Sequence, residues 1–211
     1  MVALSKASKM PCRSWSLQAL TTCPGSRDKN GTLVPACSGC YATTGFYVMN
    51  NVINTREHNR QDWQRDDWVY DMVQELDNDR YFRWFDSGDI YHPKLAEKIY
   101  DVMVRTPWVK HWLPTRSYKL TKIKPWLEKM KALPNVSVRY SSDSILGEYT
   151  EGLHGSTIIP SASHNVNAFI CRAYENSGKC GTCRACWDRN VTVVAYPSHG
   201  KKMAAQIKKA A

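Results

Sequence analysis

Eight cysteines fall in two groups near the two ends of this 211-residue chain, and thiols grouped in this way are typical of metal sites. No cysteine occurs between Cys40 and Cys171. Each group holds four thiols, the number that completes one zinc site or one iron–sulfur cluster. The spacing therefore predicts a metalloprotein and favours an iron–sulfur protein. The groups are Cys12, Cys23, Cys37 and Cys40 on the N-terminal side, and Cys171, Cys180, Cys183 and Cys186 on the C-terminal side.

The C-terminal group contains the tightest spacing, Cys180-x2-Cys183-x2-Cys186. Three thiolates in one short loop suit three corners of a cubane cluster, as in bacterial ferredoxins, and Cys171 can supply the fourth ligand. Zinc sites more often combine two separated C-x2-C pairs, because a tetrahedral ion needs ligands from two directions. The spacing thus favours a 4Fe–4S cluster in this loop, with zinc or unligated thiols as the alternatives.

The N-terminal group is looser. Cys37 and Cys40 form a C-x2-C hook in a glycine-containing loop, where buried apolar thiols are not expected, and Cys23 lies upstream in a Cys-Pro-Gly turn. Cys12 lies in an expected first strand, where an apolar core cysteine explains it as well as metal ligation does. The sequence therefore leaves open whether Cys12 is a ligand, and whether the eight cysteines serve one cluster or two.

Strand, polar turn and helix alternate three times in the middle of the chain, which is the pattern of a parallel sheet built from βαβ units. Such sheets bind their ligands at the carboxyl ends of the strands. Four predicted strands end in small polar or charged residues, so we expect a small anionic or zwitterionic ligand at their shared edge. The candidates for catalysis there are Asp89, Arg116 and Asp143, and those for cofactor binding are Ser87, Gly88, Asp89, Ser142 and Ser161.

The chain is expected to form a single domain that spans residues 1–211. The later connections are too short for full helices, so the α/β fold should be a partial, open (β/α) barrel. The aromatic strand at 81–85 is expected in the core, and the Lys-rich tail is expected to be a frayed helix. The segments are a cysteine-bearing strand and loop at 1–45, the partial barrel at 46–170, and a C-terminal cysteine loop with a basic tail at 171–211.

Charge and hydropathy indicate the class of partner and the cellular compartment of the protein. The formal charge of +10 indicates an anionic partner, which leaves nucleic acid open as a ligand. No apolar run reaches the roughly 18 residues that a membrane helix needs. The first ten residues lack the pattern of a secretory signal. We therefore expect a cytoplasmic protein in a reducing compartment, where metal ligation is favoured over disulfides.

The cysteine segments resemble the phage-encoded family named after mycobacteriophage gene product 88 and, more widely, the radical S-adenosylmethionine (β/α) barrel. The resemblance implies that Cys23, Cys37 and Cys40 hold a 4Fe–4S cluster with one open iron, to which S-adenosylmethionine binds. It also puts the turn at Ser87–Asp89 where that superfamily binds the cofactor's amino group. The similar segments are Thr22-Cys23-Pro24-Gly25, Cys37-Ser38-Gly39-Cys40-Tyr41-Ala42, Arg83-Trp84-Phe85-Asp86-Ser87-Gly88-Asp89 and Gly181-Thr182-Cys183-Arg184-Ala185-Cys186-Trp187.

The resemblance implies an iron–sulfur-dependent enzyme of unknown reaction, acting in the host cytoplasm if the chain is phage-encoded. Two interpretations from other classes stay open. One is a zinc-stabilised nucleic-acid-binding module, whose positive charge would attract the phosphate backbone. The other is an electron-transfer or redox-sensing protein that has no substrate.

Overall fold

The computed structural model describes residues 1–210 and builds them around one sheet. The strands in this part of the chain are β1 (Ser5–Lys6), β2 (Arg13–Trp15), β3 (Tyr81–Trp84), β4 (Lys110–Thr115), β5 (Val136–Ser141), β6 (Gly155–Ile159), β7 (Phe169–Ile170) and β8 (Val193–Pro197). The α-helices are α1 (Pro35–Ser38), α2 (Asn50–Asp62), α3 (Trp68–Glu75), α4 (Pro93–Arg105), α5 (Lys124–Ala132) and α6 (Lys201–Ala210). Short 3-10 turns occur at Pro24–Ser26, Tyr41–Thr43, Gly45–Val48 and Ser117–Lys119.

Strand order follows the chain along most of the sheet. Across the described residues the order is β1-β2-β3-β4-β5-β6-β8-β7, so β2 to β6 are neighbours in the order in which they occur. These strands pair in parallel, as do β6 with β8 and β7 with β8, whereas β1 runs antiparallel to β2. A parallel sheet wound in chain order is what successive β–helix–β units produce. The α/β class expected from the sequence is therefore confirmed.

One face of the sheet carries the main hydrophobic core. Side chains alternate along β3, so Phe82 and Trp84 are fully buried on this face while Arg83 points to the other. Helices α3, α4 and α5 cover the core with apolar stripes, such as Leu95 and Ile99 of α4. Burying one side chain of this size contributes about 1.5–3 kcal/mol. The core role expected for this aromatic strand thus holds for its aromatic residues and not for its arginine.

The second face of the sheet is covered by segments from both ends of the chain. Arg83 of β3, Trp112 of β4 and Arg139 of β5 point to it. The segment before β2 meets the loop after β7 there, where the Cys180 N–H donates to the Lys9 carbonyl at 2.9 Å. Because the helices occupy the first face, the second face is where chain segments carrying the cysteines can assemble.

Most element boundaries match their sequence predictions closely. The residue pattern predicts a strand at 135–140, for example, and β5 occupies Val136–Ser141. Helix α2 is the main exception, since the pattern predicts a helix from Phe46 to about Asn59 and the helix begins at Asn50. The residues before it form the 3-10 turn at Gly45–Val48. Within residues 1–210, no helix combines the length and the apolar character needed to span a bilayer.

The Lys-rich tail is helical, but it is docked and not frayed. Met203 of α6 is only 5% exposed and packs with Ala36 of α1 and with Ile145. The sequence interpretation gave weight to the lysines of the tail and overlooked its single stripe of apolar residues. Helix α6 is consequently part of the wall beside Cys37 and Cys40.

Candidate functional site

A cavity of about 490 Å³ lies on the second face of the sheet. Side chains that alternate toward this face, among them Arg83, Trp112 and Ser141, contribute to its lining. A cavity of this volume is large enough for a small-molecule ligand. Both cysteine groups open onto it, although they are far apart in sequence. The cysteines that line the cavity are Cys23, Cys37, Cys40, Cys171, Cys180 and Cys186.

Three cysteines, which we call the N-terminal trio, gather after the carboxyl end of β2. Cys23 precedes the turn at Pro24–Ser26, Cys37 lies in α1, and the Cys40 N–H donates to the Cys37 carbonyl at 3.2 Å. Burial raises the pKa of Cys23 to about 12, and the negative charges of Asp89 and of the other two thiolates add to the increase. The three thiols are therefore close enough to interact electrostatically, as ligands of one group must be.

Cys12 does not join the N-terminal trio. It precedes β2 and so lies at the amino end of that strand, whereas the trio follows the carboxyl end. Its side chain is buried in an apolar cluster that also contains Cys180 and Cys186, and burial raises its pKa to about 12. The sequence analysis grouped Cys12 with the trio by position along the chain. The intervening strand separates them, so Cys12 belongs with the C-terminal group in space.

Cationic side chains surround the N-terminal trio. Burial raises the pKa of Cys37 and of Cys40, and nearby positive charges oppose the increase. Arg116 acts on both thiols. Lys119 adds to its effect at Cys37, and Lys202 of α6 does so at Cys40. Because thiolates ligating a cluster are anionic, these cations would stabilise a loaded site.

A buried hydroxyl beside the trio also suits a cluster. Ser26 follows Cys23 in the same turn and lines the cavity, and its Oγ has no hydrogen-bond partner within residues 1–210. A buried donor costs free energy unless an acceptor meets it, and the sulfur atoms of a cluster are acceptors. Within the same residues, no three His, Cys, Asp or Glu side chains are close enough to share one metal ion. The site therefore combines three thiols, neighbouring cations and an unpaired hydroxyl, which is the residue chemistry that an iron–sulfur cluster would use, without forming a site for a single ion.

Arg139 anchors the cysteine loop that follows β7. Its guanidinium is fully buried on the second face of the sheet and makes no ion pair within the described chain. It donates instead to backbone carbonyls of the loop, at 2.7 Å to Ala185, 2.9 Å to Cys186, 2.8 Å to Asp188 and 2.9 Å to Val191. The sequence analysis missed Arg139, although an arginine inside an apolar strand is a signal that a buried acceptor is present.

Two further contacts fix the same loop. The Trp187 Nε1–H donates to the Phe82 carbonyl of β3 at 2.9 Å. The Cys186 Sγ lies 3.3 Å from the Tyr196 hydroxyl of β8, and burial raises the pKa of Cys186 to about 11. Cys183 is exposed. The loop is therefore held against the sheet on one side and open to solvent on the other.

The three residues predicted to act in catalysis meet at the carboxyl edge of the sheet. Asp89 accepts hydrogen bonds at 2.7 Å from the Arg116 backbone N–H and at 2.7 Å from the Thr115 hydroxyl. The Arg116 Nε–H donates to Asp143 at 3.3 Å. Burial raises the pKa of Asp89, and the donated hydrogen bonds oppose the increase. Asp89 thus ties the ends of β3 and β4 together, while its contact with a ligand stays a prediction.

Three of the other predicted cofactor residues also reach the cavity. Ser87, Gly88 and Ser142 line it, but the Ser87 hydroxyl donates to the Leu17 carbonyl and the Ser142 hydroxyl to the Glu148 carbonyl. Ser161 is not among the lining residues. It lies beyond the end of β6 in an exposed segment, where its hydroxyl is 2.9 Å from that of Ser163. The chain leaves the edge before Ser161, so the structure does not bring this residue to the cavity.

Comparison with known proteins gives one family. The family model described as Gene product 88 matches residues 2–189. Neither the curated proteins nor the solved structures gave a match to this chain.

Proposed function

We propose that this chain, which belongs to the gene product 88 family, is an iron–sulfur protein that acts on a small molecule in its cavity. The N-terminal trio would hold one 4Fe–4S cluster, and Cys171, Cys180, Cys183 and Cys186 would hold a second. The observation that carries the proposal is the shared cavity, because its wall includes thiols of both groups. The fold would be a partial, open (β/α) barrel of the radical S-adenosylmethionine type, which uses the carboxyl ends of its strands for chemistry.

Three thiolates leave one iron of a four-iron cluster without a protein ligand. Cys12 would not close the site, since it packs with Cys180 and Cys186. When bound, such a cluster supplies an electron or a Lewis-acidic iron to a small ligand. The chain's own contribution would be electrostatic, because Arg116 and Lys119 offset the thiolate charge at Cys37.

Helix α6 would shield the trio from bulk water. A Cβ placed on Gly39, in the hook between Cys37 and Cys40, would lie 2.8 Å from the Met203 Cε. The hook and α6 therefore pack without room for a larger residue. S-adenosylmethionine is the ligand suggested by the resemblance, and the turn at Ser87–Asp89 would lie beside it.

Metal content tests the proposal directly. Protein purified without oxygen should be brown and contain about eight irons and about eight sulfides, as two 4Fe–4S clusters require. Cys37→Ala should lose about half of both, because the trio would fall to two ligands. Cys183→Ala should lose the other half and should also melt at a lower temperature, since metal binding in such loops is coupled to folding. Iron content, acid-labile sulfide content and melting temperature are measured for the wild type, Cys37→Ala and Cys183→Ala.

Cys12→Ala is the matched control for this experiment. It removes a buried thiol near the C-terminal group, and it should keep the iron of the N-terminal cluster. A colourless wild-type protein that contains zinc would contradict the proposal and support the zinc-stabilised nucleic-acid-binding alternative. If Cys12→Ala loses the N-terminal cluster, Cys12 is a ligand of that cluster.

An open iron predicts a spectroscopic response. Adding S-adenosylmethionine to the reduced wild-type protein should shift its electron paramagnetic resonance signal, because the ligand changes the coordination of one iron. Cys37→Ala should lack the shift, whereas Cys183→Ala should retain it. An unchanged wild-type spectrum with S-adenosylmethionine and with other small ligands would argue for an electron-transfer or redox-sensing protein instead of an enzyme.

A further inference from the structure

Arg83 is a cation in the cavity wall to which the proposed function gives no role. It occupies the middle of β3, points away from the hydrophobic core, and lines the cavity. Its charge acts on Cys12 and Cys186 on one side and on Tyr41, which follows Cys40, on the other. Arg83 therefore lies between the two cysteine groups, where a bound molecule would have access to both.

The guanidinium of Arg83 has few partners. A guanidinium carries five N–H donors in a planar fork. One terminal nitrogen lies 3.5 Å from the Met10 Sδ, a weak acceptor, and the other lies 3.4 Å from the Tyr41 hydroxyl, a long contact. The Nε is inaccessible to solvent, and within residues 1–210 it has no hydrogen-bond partner and the side chain makes no ion pair. A partly buried cation whose Nε–H is shielded from water and unpaired is stabilised when an anion meets it.

The nearest acidic side chain does not serve as that anion. Asp86 is in the field of Arg83, but its carboxylate accepts a hydrogen bond from the Ser16 hydroxyl and lies 3.9 Å from the Arg56 guanidinium. The Tyr47 hydroxyl adds a long contact at 3.4 Å. Asp86 is thus engaged with Ser16 and Arg56, and within residues 1–210 it makes no ion pair with Arg83.

Trp112 provides a second free donor at the same place. The Arg83 guanidinium lies over its ring at 4.5 Å from the ring centre, a stacking that fixes the plane of the fork. The indole is 6% exposed, lines the cavity, and its Nε1 has no hydrogen-bond partner within the described residues. Two neighbouring residues of the cavity wall therefore each carry a buried N–H without a partner, the Nε–H of Arg83 and the Nε1–H of Trp112.

We propose that Arg83 and Trp112 form the binding site for the oxyanion of a small organic substrate, either a carboxylate or a phosphate ester. The planar fork matches both groups, and the indole N–H adds a neutral donor. Aromatic residues form much of the remaining wall, including Phe85, Tyr174 and Tyr196, so the rest of the substrate should be apolar or aromatic. The inference rests on the proposed function in one respect, since it puts the substrate in the cavity that the open iron would face.

Binding of simple anions to protein purified without oxygen tests this site. The probes are benzoate and phenyl phosphate, with benzyl alcohol as the neutral analogue, and calorimetry or saturation-transfer NMR measures affinity. Wild type should bind at least one anion more tightly than benzyl alcohol, and the better anion identifies the class. Arg83→Gln should weaken that binding about tenfold or more, as loss of a charge-assisted hydrogen bond predicts. Arg80→Gln, an exposed arginine just before the same strand, should bind like wild type.

Iron analysis of Arg83→Gln separates this inference from the proposed function. Wild-type iron and sulfide together with weakened anion binding support the site. Wild type that binds neither anion better than benzyl alcohol, or Arg83→Gln that binds as wild type does, overturns it. Loss of iron from Arg83→Gln would make Arg83 a counter-charge of a cluster, which overturns the site and leaves the iron–sulfur proposal standing. Anion binding is measurable even if the protein holds no iron.

Discussion

Replacing Arg139 with Met should detach the C-terminal cysteine loop from the sheet and lower stability by about 3–5 kcal/mol, because several buried carbonyls lose their donor. Four loop carbonyls, from Ala185 to Val191, accept from this guanidinium at 2.9 Å or less. Each carbonyl that stays buried without a donor costs about 1–3 kcal/mol. In melting curves recorded without oxygen, the loss should appear as a fall in Tm of roughly 10 °C.

Two other variants control this prediction. Arg189 also donates to two carbonyls, those of Leu133 and Lys131, but it does so at the exposed surface. Arg189→Met should therefore change stability by less than about 1 kcal/mol. Arg139→Lys should rescue only in part, because a single ammonium cannot reach carbonyls on both sides of a planar fork. An Arg139→Met protein that melts with the wild type and retains all its iron would show that the loop does not depend on this anchor.

Gly88→Ala should destabilise the fold by about 3 kcal/mol and disturb the N-terminal trio. Gly88 has φ +79°, a conformation that costs a residue with a side chain about 1–2 kcal/mol. A Cβ there would also lie 2.6 Å from the Leu17 Cβ and 2.8 Å from the Thr22 Oγ1. Relieving that overlap costs about 1–3 kcal/mol more. Thr22 directly precedes Cys23, so we expect iron content to fall together with Tm.

Comparison with Gly45→Ala separates the cost of the steric overlap at Gly88 from the cost of the backbone conformation. Gly45 has φ +60°, but a Cβ at this position would meet no atom within 4 Å. This variant should therefore show the backbone cost alone, about 1–2 kcal/mol, and keep its iron. If Gly88→Ala and Gly45→Ala melt at the same temperature, the close approach of Gly88 to Leu17 and Thr22 does not contribute to stability.

Sequence pattern predicted the parts of the fold that depend on local order. The alternation of strand, polar turn and helix predicted the parallel sheet, and the edge formed by Asp89, Arg116 and Asp143 follows from its geometry. The family resemblance rested on the cysteine segments, and the family itself was confirmed by the match over residues 2–189. These features need only short stretches of chain to be interpreted correctly.

The remaining features depend on which segments meet across the fold. Cys12 was grouped with the trio by sequence order and left open as a ligand, because nothing in the sequence shows that the three-residue strand β2 separates it from them. Arg83 was overlooked because its aromatic neighbours identified its strand as core, and Arg139 because only the polar end of its strand was considered. One face of each strand is core, and the opposite face carries these two arginines. Ser161 was misplaced for a related reason, since a strand end predicts an edge but not the direction of the chain after it.

The packing of Met203 against Gly39 has a consequence for biosynthesis. The thiols of the trio precede α6 in the chain and are translated before it, yet the residue that covers their hook is Met203 of this helix. A nascent chain would therefore expose these thiols to solvent and oxidants until α6 has left the ribosome. A cell making this protein would have to keep these three cysteines reduced while the residues between them and α6 are translated.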